Sequence, residues 1–278
     1  MSLFLHLSDP HFGTERPPVC EALIALAHRL APDAVIISGD LTQRATRSQF
    51  AAAARFVQAL PKVPMLVLPG NHDIPLAPWH RLFSPLGRFR HHFGCRPDPV
   101  LELDSAIILG VDTTRRWRQQ YGVINRKQIE RVAERLKTTP AQKWRIVVTH
   151  HPLLLTPGAD WPDRPLLHAE ALDRWFDSGA DLFLNGHVHR PAVLPVASGS
   201  SGQHQAFVSQ AGTACSLRQR GGQPNSVTVL HQDDTSPARI RSLEHWTWSD
   251  RSRSFERSGP TPLGHPFGRG RPRLHAVA

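Results

Sequence analysis

Apolar residues along the first two thirds of the chain come in short runs that end in glycine, proline, aspartate or asparagine. Phe4–Ser8, Ala34–Ile37 and Pro64–Leu68 predict strands. Between them, Val19–Leu30 follows Pro17 and Pro18 and places Val19, Leu23, Leu26, Ala27 and Leu30 on one helical face; Ser48–Leu60 predicts an alanine-rich helix. This β-α-β-α-β order implies a mostly parallel sheet with helices on its faces. Pro75 to Asp98 carries four prolines (75, 78, 85 and 97) among basic and aromatic residues and predicts an irregular insertion or lid. Val100–Leu103 and Ala106–Val111 predict a hairpin around Asp104-Ser105. An amphipathic helix, Asn125–Leu136, is capped by Asn125. Strand Arg145–Thr149, helix His168–Asp177 and strand Asp181–Leu184 follow. Ala192–Val196, Gln205–Ser209, Ser226–His231 and Arg239–Leu243 alternate with glycine and serine turns and predict a second, more antiparallel sheet. From Trp248 the chain is rich in Arg, Ser, Pro and Gly without a period. That predicts one domain over 1–247 and a disordered basic tail over 248–278.

Composition narrows the classes. The 278 residues suit one large α/β domain, and 40% hydrophobic residues suffice for a sizeable core. No apolar run approaches the ~18 residues of a membrane span. Met1–Pro10 lacks a basic n-region, so no secretory signal is expected. Cys20, Cys95 and Cys215 lie far apart, which suits a reducing, cytoplasmic location without a disulfide framework. The formal net charge is +10, and six arginines (251, 253, 257, 269, 271, 273) face only Asp250 and Glu256 at the end of the chain. Such charge attracts anionic substrates or nucleic acid, and it equally suits solvated faces. The basic residues are scattered and not interleaved with aromatics, so nucleic acid is the lesser reading.

The candidate chemistry sits where predicted strands end. Asp9-Pro10-His11, Gly39-Asp40, Gly70-Asn71-His72-Asp73, Thr149-His150-His151 and Gly186-His187-Val188-His189 each follow an apolar run. In open α/β sheets, ligands gather beyond the carboxyl ends of the strands, so these segments can converge. Carboxylates, imidazoles and an amide form a mixed nitrogen and oxygen donor set for divalent ions. Asp9 with His11, and His187 with His189, are spaced to reach one ion. With one carboxylate bridging, the set fits two ions about 3.5–4 Å apart. Each piece alone is weak; five in order are strong. Gly39, Gly70 and Gly186 suit turns or close backbone approach.

The ordered set resembles the calcineurin-like metallophosphoesterase superfamily, with its pattern DxH, GD, GNH[DE], H, GHxH. Leu7-Ser8-Asp9-Pro10-His11-Phe12-Gly13, Gly39-Asp40-Leu41-Thr42 and Gly70-Asn71-His72-Asp73 are similar to the bacterial cyclic-nucleotide phosphodiesterase-like branch, and the resemblance extends from about Leu3 to His231. It implies a four-layer αββα sandwich and two divalent ions (Mn, Fe, Zn, Co or Ni). It implies that Asp9, His11 and His189 bind the first ion, that Asn71, His150 and His187 bind the second, and that Asp40 bridges. A hydroxide held between the ions would attack phosphorus, because the ions lower the pKa of bound water. His72 would protonate the leaving alkoxide or stabilise the phosphate, with Asp73 orienting its ring. His151 could support the site from behind. Asp112, in Gly110-Val111-Asp112-Thr113-Thr114, could touch substrate, although a buried capping role suits it better.

Hydrolysis of phosphodiesters, with cyclic nucleotides or other small diesters as substrates, is the leading expectation. A repair-type nuclease of the same superfamily and a non-catalytic interaction scaffold on this fold are the alternatives. The first would need a nucleic-acid groove; the second usually loses ligands or the catalytic histidine, and Asp9, His11, Asp40, Asn71, His72, His150, His187 and His189 are all present. Arg115, Arg116 and Arg118 suit phosphate contact or a solvated face. Trp79, Phe83 and Phe89 suit nucleobase stacking or, more simply, a local hydrophobic cluster.

Overall fold

The alternation at the start of the chain folds as β-α-β-α-β: β1 (Ser2–Leu7), α1 (Pro17–Leu30), β2 (Ala34–Ile37), α2 (Arg47–Ala59) and β3 (Met65–Val67). Two short helices follow, α3 (Pro78–Phe83) and α4 (Gly87–Phe93). Next come β4 (Val100–Glu102), β5 (Ala106–Val111), α5 (Arg126–Thr138), β6 (Trp144–Thr149), α6 (His168–Asp177) and β7 (Leu182–Asn185). The chain then runs through β8 (Ala192–Val196), β9 (Ala206–Gln210), β10 (Ser226–Gln232), β11 (Arg241–Ser249), β12 (Ser254–Arg257) and β13 (Thr261–Leu263). The computed structural model describes residues 1–94, 98–117, 121–156, 164–196, 205–233 and 241–263.

Two sheets form. One runs β12-β11-β10-β1-β2-β3, with β13 also on β11; the other runs β4-β5-β6-β7-β9-β8. Strand periodicity makes the four layers. On the inner face, Phe4, Ile36 and Leu66 of the first sheet meet Ile108, Trp144, Ile146, Val148 and Leu184 of the second. On the outer faces, Leu5, Leu7, Val35 and Ile37 pack under α1, α2 and α4, while Ile107, Leu109, Val147 and Phe183 pack under α5 and α6. Alternate residues of one strand thus serve two different cores, which is why these strands read as continuous apolar runs. Helix starts follow local chemistry: Thr46 accepts from the Gln49 amide, and Asn125 forms a capping box with Gln128.

Three expectations need correction. The late strands do not form a sheet of their own. β10 adds antiparallel to β1, with Leu5 opposite Val229, and β11 and β12 continue from it, whereas β8 and β9 extend the other sheet. Alternation tells which face of a strand is buried; it does not tell which sheet edge the strand joins. The reading of 248–278 as a tail fails up to residue 263. β11 runs on through Trp248, and Phe255 packs edge-on to that indole with ring centroids 5.8 Å apart. Charged and serine residues on the outer face of this edge hid the few inward apolar positions; 264–278 lie outside the described residues. Finally, Pro75–Asp98 is not irregular throughout. Pro78 opens α3, where its missing amide hydrogen costs nothing. α4 buries Phe89 beside α2.

Candidate metal centre

β1, β2 and β3 are parallel, as are β5, β6, β7 and β9, so their carboxyl ends share one edge of the sandwich. Asp9 follows β1, Asp40 follows β2, Asn71 follows β3, His150 follows β6, and His187 and His189 follow β7. Backbone hydrogen bonds lock these turns together: Asp9 N to Gly39 O (3.1 Å), His11 N to Asp40 O (3.0 Å) and Gly186 N to His150 O (3.0 Å). Asp9, His11, Asp40, Asn71, His150, His187 and His189 are all buried, and His72 is half-buried beside them.

The backbone under this cluster is unusual. Among the described residues, nine that are not glycine have positive φ, and five of them are Asp9, His11, Asp40, His187 and His189, at +44 to +70°. Non-glycine residues pay for that conformation, so its concentration here marks a site that the surrounding fold enforces. Gly39 itself has φ +107°, and a side chain on it would meet the His150 ring at 2.5 Å. A side chain at Gly186 would strike Ser8 Oγ at 1.9 Å and Asp9 Oδ2 at 2.3 Å.

Donor atoms fall into three overlapping groups, each within 4.8 Å: Asp9, His11 and His189; His11, Asp40 and His72; Asp40, His150 and His187. Their contacts fix which atoms face inward. Asp9 Oδ2 accepts from Ser8 Oγ (2.6 Å) and from the His187 amide (3.0 Å), which leaves Oδ1 turned to the imidazoles. The Ser8 hydroxyl is itself held by Ser38 Oγ (2.8 Å), which receives a hydrogen bond from buried His6 Nε2 (2.8 Å). All donors in this chain point one way, toward the carboxylate.

Two histidines present bare nitrogens. His189 Nδ1 donates to the Arg218 carbonyl (2.5 Å), so Nε2 carries a lone pair; it stands 3.1 Å from Asp9 Oδ1 and 3.1 Å from His11 Nε2. His150 Nδ1 donates to the Ser38 carbonyl (2.8 Å), and its Nε2 lies 3.1 Å from Asn71 Oδ1 and 3.4 Å from Asp40 Oδ1. Asp40 Oδ2 lies 3.5 Å from His11 Nε2, so its two oxygens face the two groups separately. Acceptors that face acceptors in a dry site need a cation or a proton between them. The donor set therefore fits a pair of divalent ions.

Electrostatics agree. Burial works against charge on Asp40, but His150 and His11 hold its carboxyl well below the usual range. Burial also opposes charge on Asp9, and His189 and His11 hold that group well below its ordinary value. Burial pushes His11 down to about 4. His150 goes the other way: burial opposes its charge, yet Asp40 raises it to about 9. Without an ion, a proton takes the place beside Asp40.

Around this ring, Asp73 does not touch the His72 ring as expected. Its carboxylate accepts from the amides of Leu41 (3.1 Å), Thr42 (2.8 Å) and Gly70 (2.9 Å) and from Thr42 Oγ1 (2.8 Å), tying the β2 and β3 loops together. The short 3₁₀ turn at Asn71–Asp73 aims that carboxylate back at backbone, and burial with the nearby Asp40 charge raises it to about 7. The group that orients His72 is the Gln43 carbonyl, which accepts from Nδ1 at 2.9 Å. His151 packs against His150 and His187, with ring centroids 5.0 and 4.6 Å apart, and bonds Thr113 Oγ1 through Nδ1 (2.7 Å). Asp112 stands apart from the ring; it caps Thr114 N (2.8 Å) and Thr114 Oγ1 (2.7 Å).

Arg218 is the residue the sequence reading missed. Its Nη1 donates to His72 Nε2 (2.8 Å) and to Gln43 Oε1 (3.1 Å), at the mouth of the ring. The Arg218–Asn225 stretch resembles the family's late loop, but nothing in its local pattern assigns a contact spanning so much of the chain. Of the other candidates, Phe89 is in the core, Trp79 and Phe83 stack on each other at the surface, Arg115 bonds the Thr114 carbonyl and Gln128, and Arg118 lies outside the described residues.

The family model described as calcineurin-like phosphoesterase matches residues 2–191. No curated protein matched the chain in sequence. Among solved structures, the fold is similar to a purple acid phosphatase from yellow lupin seeds (14% identity, TM-score 0.66), covering 88% of this chain and 51% of that one; the chain thus spans about half the length of that enzyme. It is also similar to a dimetal phosphatase from Danio rerio (13% identity, TM-score 0.63, 94% and 98% covered). A third is GAP50, described as the anchor in the inner membrane complex of Plasmodium (12% identity, TM-score 0.60, 94% and 88% covered).

Proposed function

Because the chain belongs to the calcineurin-like phosphoesterase family, we propose that its strand-end ring is a dinuclear metal centre that hydrolyses phosphoester bonds, those of small diesters in particular. In this reading Asp9, His11 and His189 hold one ion, Asn71, His150 and His187 hold the other, and Asp40 bridges. The observation that carries it is the pair of acceptor clusters, each with bare nitrogens turned inward, with Asp40 giving one oxygen to each. Two divalent ions bound there supply an activated water near neutral pH and neutralise charge on the phosphoryl oxygens.

The rest is the work of the chain. Burial of the ring excludes bulk water and strengthens each charge interaction within it. Asp9 and Asp40 stay ionised because imidazoles surround them. The backbone carbonyls of Ser38 and Arg218 fix the tautomers of His150 and His189. Half-buried His72 is placed by the Gln43 carbonyl with its Nε2 at the mouth; that nitrogen accepts from Arg218, so it takes up a proton as the guanidinium turns to a phosphoryl oxygen, and then delivers that proton to the leaving oxygen. Arg218, whose guanidinium meets that nitrogen, offers a fixed cation for a phosphoryl oxygen. The preference for diesters, with cyclic nucleotides first, rests on the resemblance of Gly70-Asn71-His72-Asp73 and its neighbouring motifs to the phosphodiesterase-like branch.

A panel of diesters and monoesters, assayed with Mn, Zn, Co and Mg, tests this. The expected result is metal-dependent turnover that favours diesters. Turnover of monoesters alone would overturn the diester assignment. No turnover of any ester by a protein carrying two bound ions would overturn the hydrolase reading.

A further inference from the structure

Helix α3 buries none of its side chains. Trp79 and Phe83 stack on each other in nearly parallel planes, centroids 6.3 Å apart, while 72% and 76% exposed; Leu76 and Leu82 beside them are also exposed. The helix is held by polar ties instead. Arg81 Nε donates to the Pro75 carbonyl (2.8 Å), and Arg116 Nη1 donates to the Leu82 carbonyl (3.1 Å). Buried Ile74 before it and buried Leu86 and Phe89 after it anchor both ends in the core. The fold thus fixes a cluster of large apolar side chains in water, at a free-energy cost that calls for a partner.

The charge around the cluster is one-sided. The described stretches 74–94 and 113–117 contain no aspartate or glutamate and carry Arg81, Arg88, Arg90, Arg115 and Arg116, of which Arg81 lies on the helix and Arg116 bonds it. Arg90 and Arg116 are exposed, as are His80, His91 and His92. Exposed apolar rings flanked by arginines, in stretches of chain without aspartate or glutamate, fit a surface that is apolar inside and anionic outside.

We propose that α3 and its arginine rim dock the protein onto an anionic lipid surface. Trp79, Phe83, Leu76 and Leu82 enter the headgroup boundary, and the surrounding arginines meet lipid phosphates. Two other occupants fit less well. A second copy of this face would bring arginines against arginines, with no carboxylate to pair them. The chain's own last residues, 264–278, contain three arginines and no acidic residue, and are repelled for the same reason. Nucleic acid would use the ring faces and leave the aliphatic Leu76 and Leu82 without a role. The inference does not depend on the hydrolase reading, and its test reads binding alone.

The test is co-sedimentation of the full chain with vesicles of phosphatidylcholine alone and of phosphatidylcholine mixed with phosphatidylglycerol. Binding is expected to the mixed vesicles, with much less to the neutral ones. The double substitution Trp79→Ser with Phe83→Ser should lower partitioning at least about tenfold while leaving the melting temperature unchanged, since neither ring packs in the core. Arg90→Glu should lower it by roughly fivefold or more. The proposal is overturned by absence of binding to the mixed vesicles, by equal binding to both kinds, or by binding that ignores the double substitution. It is also overturned if light scattering shows a dimer that the double substitution abolishes, or if single-stranded DNA binding is lost in that variant while vesicle binding persists.

Discussion

The strand-end ring and the α3 rim sit only a few residues apart in sequence, at Asn71–Asp73 and Pro78–Phe83, yet they are built on opposite rules. The ring buries polar and charged groups under a strained backbone; the rim exposes apolar groups on an ordinary helix. In the ring, each side chain is fixed by several partners, so removing one should propagate. In the rim, side chains are fixed by backbone ties, so removing one should change only the surface. Substitutions can break or sharpen that contrast.

The largest effect is expected from Asp40→Ala, which removes the carboxylate facing both acceptor clusters. Turnover should fall to background, and metal content by elemental analysis should drop sharply; retained activity would refute the bridging assignment. Next, His72→Ala should keep the metals but slow turnover by roughly 10²–10⁴, the usual span for loss of a general acid. The loss should be large for alkyl leaving groups and small for activated aryl ones, and equal losses would contradict proton donation. Arg218→Ala should raise KM by about tenfold, the scale of one charge-assisted hydrogen bond, with a smaller change in kcat. A fall in kcat alone would point to an effect through His72 instead.

A smaller effect concerns acid stability. His6 is fully buried, and burial pushes its imidazole down to about 3 from an ordinary 6.5. A depressed histidine contributes stability that is present above the unfolded value and is lost as pH falls from 6.5 toward 3, because only the unfolded chain takes up the proton. In that window His6 adds at most about 1.4 kcal/mol per pH unit to the slope of stability. His6→Gln should flatten urea midpoints measured between neutral pH and about pH 5; an unchanged slope would show that His6 is not held neutral. The smallest effect belongs to the rim, where Trp79→Ser with Phe83→Ser should move the melting temperature by no more than about a degree. A larger shift would mean that the stacked pair is core after all, and the contrast would fail.

The same contrast explains what the sequence revealed. The ring was legible because its chemistry needs particular residue types at strand ends, and strand ends show in the pattern. The strand-helix alternation through β7 was legible for a similar reason: each apolar run serves two cores. The start of β11 was legible in Arg239–Leu243, but its continuation to Ser249 and the edge strands β12 and β13 were not, since few inward apolar positions remain among polar and charged ones. Asp73 looked like a partner for His72 by adjacency, but a tight turn sends neighbouring side chains in different directions. Arg218 lies in a stretch that resembles the family's late loop, yet its role could not be read there because a contact made by tertiary folding leaves no local trace. The rim was half legible: Trp79 and Phe83 stood out, but only the fold separates them from Phe89, which is buried.

The ring also straddles the seam of the sandwich. Asp9, His11, Asp40 and Asn71 extend from one sheet; His150, His187 and His189 extend from the other. Ions bound at the proposed centre would add a clasp to two leaves already joined by apolar packing and by bonds such as His150 Nδ1 to Ser38 O, so part of the free energy of loading would become resistance to prying the leaves apart. On the proposed reading, a chelator would then lower the melting temperature as well as stop turnover, because it would loosen the fold at that edge.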